Sequence, residues 1–153
     1  MSSNEAVSST GTSLTGLQWI NFPGYDEAEK YKISAAVVVP AGRRLVATSG
    51  HVGRDSAGNH PDDLEAEFVI AFDKVQKSLH AVDPSLSPAE LWGSIYQLTT
   101  YHAGGIKDPY VFKTMLAVAA RYFGEHRPAW TAVEVKELNG GVRFEIAVNA
   151  AIP

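Results

Sequence analysis

The sequence predicts an α+β domain, with helices set apart from a mixed, mainly antiparallel sheet. Two stretches carry apolar residues at three- and four-residue steps, which marks helices with one buried stripe. Several shorter runs are rich in Val, Ile, Thr and aromatic residues and read as strands. These segments follow one another as β-β-α-β-α-β-β, without an internal repeat, so the two helices are expected on one sheet face.

Residues 1–15, rich in Ser and Thr and lacking arginine, read as a loose tail before a single domain over 16–153. Leu17 to Phe22 offers an added strand. Ile33 to Val39 and Arg44 to Ser49 read as strands joined by the turn Pro40-Ala41-Gly42-Arg43, a hairpin expectation. Gly50 to Gly53 and Asp55 to Asn59 then form a glycine-containing loop.

A helix is expected from about Pro61, with Asp62 and Asp63 in its first turn. Leu64, Phe68, Ala71, Phe72, Val75, Leu79 and Val82 form its stripe, and Asp83-Pro84 ends it. Leu91 to Tyr101 reads as one long strand, broken by Gly104-Gly105. Asp108-Pro109 opens a second helix, whose face is Phe112, Met115, Leu116, Ala119, Tyr122 and Phe123, and Gly124 stops it. Trp130 to Leu138 and Val142 to Val148 flank Asn139-Gly140-Gly141, a hairpin signal.

The 153 residues are enough to bury a substantial core. Hydrophobic residues at 45% and charged residues at 20% fit a globular chain. A net charge of −4 gives no global attraction for nucleic acid or anionic lipid, and Arg43-Arg44 is too small a basic patch for phosphate binding. With no cysteine, disulfides and thiol nucleophiles are excluded, and cytoplasmic residence is the natural expectation. No apolar run nears the roughly 20 residues of a membrane span. His60, His80, His102 and His126 lack metal-ligand spacing, so no metal site is expected.

Five separated features share one resemblance: Tyr31, Thr48-Ser49-Gly50-His51, the helix Phe112 to Phe123, the run Pro128-Ala129-Trp130-Thr131-Ala132-Val133-Glu134-Val135, and Glu145 fifteen residues after Trp130. In this order and spacing they resemble the RidA/YjgF imine and enamine deaminases, also called the endoribonuclease L-PSP family, over residues 31–150. The resemblance implies a chorismate mutase-like fold and a homotrimer with clefts between subunits. It also implies hydrolysis of a short-lived imino acid, in which an arginine grips the substrate carboxylate and a glutamate positions or activates water. No cofactor is needed, because water and proton transfers suffice.

Trp130 stands where the family has that arginine. An indole has one donor and no charge, so it cannot replace a two-donor guanidinium fork. A carboxylate buried there without a counterion would lose several kcal/mol, in order of magnitude. Leu116 and Ala132 hold positions where the family often has polar residues. Two readings stand for Trp130: a filled pocket or subunit contact, and a cleft respecified for an apolar or aromatic small molecule.

The candidate catalytic residues are Glu145 and His51, set against the plainer roles of a solvated strand carboxylate and a loop histidine. In an apolar cleft, Glu145 would hold its proton more tightly, which suits acid/base work near neutrality. Candidate substrate-binding residues are Tyr31, Ser49, Gly50, Leu116, Trp130 and Ala132. Hydrolytic deamination and proton-transfer isomerisation both fit this set, and a non-catalytic trimer binding a small molecule or a partner is the alternative. In a hairpin around Asn139-Gly140, Glu145 would pair near Glu134 or Val135. At about 3.3 Å per residue it would then lie roughly 13–17 Å from Trp130, a span bridged more easily by two chains than by one.

Overall fold

The computed structural model describes residues 8–153. Strands are β1 Ser9–Thr12, β2 Gln18–Asn21, β3 Ala36–Val38, β4 Arg44–Ala47, β5 His51–Val52, β6 Ile95–Ala103, β7 Ala129–Val135 and β8 Phe144–Ile152. Helices are α1 Glu27–Tyr31, α2 Leu64–Val82, α3 Pro88–Gly93 and α4 Pro109–Phe123. The α+β expectation holds. The main sheet runs β4-β8-β6-β7, with β5 also on β8, and only its β6–β7 pair is parallel.

Both expected hairpins are absent. β3 pairs with β2, while β4 pairs with β8. β7 and β8 do not touch as a ladder, because β6 lies between them. Gly140 and Gly141 do take the positive φ of a turn, at 76° and 74°. That turn launches β8 across the far side of β6 instead of back along β7. Alternation of apolar residues fixes which face a strand buries, and leaves its neighbours undetermined.

The expected long strand over Leu91–Tyr101 starts late. Ser87 accepts from the Glu90 amide, and Glu90 reaches back to the Ser87 amide at 2.7 Å. With Pro88 at the first position, this reciprocal cap makes residues 88–93 helical. The first long helix starts at Leu64, since Asp63 serves as its cap and accepts from the Ala66 amide. Of the expected loose tail, residues 1–7 lie outside the described residues. From Ser9 the chain is a strand against β2, with Gly11 lying under the Trp19 indole where a side chain would collide.

α2 and α4 cover one face of the main sheet. Phe68, Phe72, Val75 and Leu79 of α2 are fully buried against Phe144, Ile146 and Val148 of β8 and Met115 and Val118 of α4. Val82, the last residue of the expected stripe, is exposed. Trp92 of α3 stacks on Phe72 with ring centres 5.5 Å apart, and its indole N–H donates to Gln76. Glu67 is wholly buried and accepts from Arg143 at both its amide and its Nε, at 2.6 and 2.7 Å. This pair ties α2 to the entrance of β8, and removing Arg143 alone would strand the buried Glu67 carboxylate at a cost of about 3–5 kcal/mol.

Candidate functional site

The parallel β6–β7 ladder decides which way the signature strand faces. Trp130 sits beside Leu98 and Ala132 beside Thr100. Leu98 and Thr100 are buried under the helices, so Trp130 and Ala132 point to the same side. There α4 presents Phe112, Met115 and Leu116, an i, i+3, i+4 set on one helical face. Tyr31 closes the group from the end of α1, its ring edge-on to Phe112 at 5.3 Å. Ile33 and Ile106 complete a hollow of about 250 Å³. Trp130 is one wall of this hollow.

The indole N–H of Trp130 donates to Thr100 Oγ1 at 3.0 Å. An indole has one donor, so the wall it shows the hollow is apolar. Thr100 is buried, as is His102 beyond it, whose Nε2 lies 3.0 Å from the same hydroxyl. Burial pushes the His102 imidazole down to about 4, so it is neutral at pH 7.

Glu145 lies elsewhere. On β8 it pairs with Tyr101, and Tyr101 pairs with Val133. Glu145 is thus two strands from β7 and three residues out of register with Trp130, about 14 Å in the sheet plane. The distance resembles the hairpin figure, but its origin differs. Alternation adds a stronger constraint: Phe144 and Ile146 are buried under the helices, so Glu145 emerges on the opposite face.

Beside Glu145 lies the segment from Thr48 to His51. Ala47 pairs with Asn149 and His51 with Ile146, so four steps on this side oppose three on β8. The extra residue makes a β-bulge, which lifts Ser49 and Gly50 into exposed positions. A Cβ on Gly50 would fall 1.7 Å from Glu145 Oε1, so glycine is what lets the carboxylate lie on this backbone. His51 turns the other way. Its Nε2 lies 2.8 Å from Ser78 Oγ on α2, and Ser78 itself donates to the Lys74 carbonyl. Burial and the nearby Lys74 cation lower the His51 pKa, while Glu145 opposes that shift.

The eight residues singled out from the sequence therefore form two groups within one chain. Tyr31, Leu116, Trp130 and Ala132 share the hollow under α4. Gly50 and Glu145 share the opposite face, with Ser49 exposed beside them and His51 drawn toward α2.

The family model described as endoribonuclease L-PSP matches residues 29–152. The chain belongs to this family, the RidA/YjgF proteins. No protein of curated description matches it. Among solved structures, the Rid family protein YyfB from Yersinia pestis shares the fold, with TM-score 0.73 and 21% identity over 89% of this chain and 98% of that one. The YjgF product of E. coli is 29% identical, with TM-score 0.58, over 74% of this chain and 84% of its own. E. coli TdcF, solved with bound serine, is 26% identical with TM-score 0.59, over 75% and 85%.

For this RidA/YjgF chain, the sequence reading missed Thr100 as the acceptor that fixes the indole. The signal was present: a threonine on the buried register of β6, opposite Ala132, needs a polar partner. It was hidden because the strand neighbouring β7 was taken to be β8. Ile33 was expected to open a strand, but β3 starts at Ala36 and leaves it in a loop, and Ile106, also in a loop, carried no periodic signal. No helix among the described residues is long and apolar enough to cross a membrane.

Proposed function

We propose that this chain is a RidA-like protein acting by acid/base chemistry on a reactive imine, enamine or enol-type small metabolite. Its preference is shifted away from 2-imino acids. The observation that carries the reading is the Trp130 indole, whose single donor is held by Thr100. Where a guanidinium would receive a carboxylate, the hollow offers Trp130, Leu116, Phe112 and Ala132. A substrate with an apolar or aromatic group at that position fits, and one with a carboxylate does not.

The cleft in this proposal is shared between subunits of a homotrimer. One chain contributes Tyr31, Leu116, Trp130 and Ala132, and a second contributes Ser49, Gly50 and Glu145. Support comes from their opposite exits from the sheet, which keep Trp130 and Glu145 of one chain from facing a common ligand. Glu145 takes a proton from water as the oxygen adds to the C=N carbon. It returns that proton to nitrogen to give an amino alcohol, then moves the hydroxyl proton to the same nitrogen, so that the C–N bond breaks, ammonia leaves and the carbonyl forms. For an enol or enamine, the same carboxylate carries a proton from heteroatom to carbon. His51, held by Ser78, is assigned the second acid/base role only in a form that releases that contact.

Ammonia release from imines generated in situ, with and without a carboxylate, tests the specificity. Faster turnover of the carboxylate-free imine is expected; equal or slower turnover would count against the reading. A second reading, a non-catalytic binding module, draws on the fact that Tyr31 alone brings a titratable side chain to the hollow. In a chain with Trp19 and Trp92 replaced by phenylalanine, it expects Trp130 fluorescence to respond to an apolar ligand that is never consumed.

A further inference from the structure

The ladder beside Glu145 breaks at one point, and a side chain closes the break. β4 ends at Ala47, paired with Asn149, and the Thr48 amide still donates to the Val148 carbonyl at 3.0 Å. A regular antiparallel rung would be completed by the Val148 amide donating back to the Thr48 carbonyl. It donates instead to the Thr48 hydroxyl, at 3.1 Å. The side chain thus satisfies the last rung, and the main chain is free to leave the ladder as the bulge. Valine has nearly the same shape as threonine but no acceptor to offer there.

Beyond the bulge the chain is pinned again. Lys74 of α2 donates from Nζ to the Val52 carbonyl at 2.8 Å, and Ser78 holds the His51 ring. Gly53 lies so close to α2 that a Cβ there would fall 2.2 Å from the Glu67 carbonyl oxygen. Ser49 and Gly50 are left between two fixed ends.

The position of the extra residue decides what Glu145 meets. Were pairing to continue without it from Ala47 and Asn149, Gly50 would oppose Ile146 and His51 would oppose Glu145. Opposed residues share a sheet face, and a slip of one residue exchanges the faces. The imidazole would then stand beside the carboxylate and compete with water for its oxygens. In the bulged register His51 opposes Ile146 and turns to α2, while Val52 opposes Glu145. The carboxylate lies over the bare Gly50 backbone, in the space a Cβ would take.

We infer that Thr48 is a positioning residue for Glu145. Its hydroxyl fixes the bulge ahead of His51, which keeps the carboxylate on Gly50 and away from the imidazole. This role in turnover rests on the reading of Glu145 as the acid/base group.

Amide NMR of the full chain tests the placement without any substrate. Glu145→Gln should move the Gly50 amide resonance in the parent and leave it nearly still in a Thr48→Val background. In a Thr48→Ser background, which keeps the acceptor, the resonance should move again. With a carboxylate-free imine, Thr48→Val should lower kcat about ten- to a hundredfold, the effect of a small misplacement. KM should stay as it was, because the Trp130 hollow is untouched, and Thr48→Ser should restore kcat. A Gly50 amide that ignores Glu145→Gln in the parent, or follows it equally in Thr48→Val, would overturn the assignment. So would an unchanged kcat in Thr48→Val. A parent that releases no ammonia from any imine would instead overturn the role of Glu145, and the Gly50 resonance would still decide the placement.

Discussion

The two faces of the main sheet differ in how they treat polarity. Under α4, Trp130 and Leu116 line space with a largely apolar wall, since the indole N–H is held by Thr100. On the reverse face, a bulge holds a glycine against a carboxylate and leaves both near solvent. One face offers a hollow lined by Trp130 and Leu116; the other offers the Glu145 carboxylate, which that hollow does not contain. The lesson is that neither face alone is a catalytic site, so the proposed chemistry stands or falls with their meeting across a subunit boundary.

The largest effect should come from disarming the polar face. Glu145→Gln is expected to lower turnover of a carboxylate-free imine by about 10²–10⁴-fold, the usual worth of a positioned acid/base group, with little change in melting temperature. Gly50→Ala should mimic it by displacing the carboxylate. Parent-like rates in either variant would remove Glu145 from the chemistry.

The apolar side has a pH signature. The unfolded His102 titrates near 6.5 and the folded one near 4, so the unfolded chain binds more protons between those values. The stability from keeping His102 neutral is present above pH 6.5 and is lost as pH falls toward 4, by about 3 kcal/mol. Denaturant melts across this window should show that slope, and His102→Leu should flatten it. His51 and His126, also shifted down by burial, leave a residual slope.

Trp130→Arg tests the contrast directly by placing charge on the apolar wall. It should raise 2-imino acid turnover by roughly ten- to a hundredfold, matching the 1.5–3 kcal/mol of a charge-assisted hydrogen bond. The smallest effect is expected for Thr100→Val, which frees the indole N–H and should cost about 1–2 kcal/mol of stability. The Trp130 N–H resonance should move while the hollow persists.

Much of this was legible before any coordinates. The stripes of α2 and α4 name most of their buried residues, Val82 being exposed and Val118 missed, because a helix is a local object with a fixed period. Asp108-Pro109 and Gly124 mark the ends of α4 for the same reason. The cap Ser87–Glu90 was equally local, and was obscured by the β-forming residues that follow it. Strand neighbours were not legible. Asn139-Gly140-Gly141 encodes a turn, but nothing within it says that β8 lands beyond β6. The split of Trp130 and Glu145 between two faces depends on that landing, so it needed the fold.

One consequence concerns assembly in time. β8 is the last strand in chain order, yet it is the rail on which β4 and β5 hang on one side and β6 on the other. The β6-α4-β7 unit can form from local contacts as the chain emerges, while β4 and β5 have no ladder partner until β8 arrives. A growing chain should therefore hold a finished α4 hollow beside an unfinished opposite face. The capacity to bind is expected to precede the capacity to react, and pulse-labelled hydrogen exchange during refolding should find β6 and β7 protected before β4.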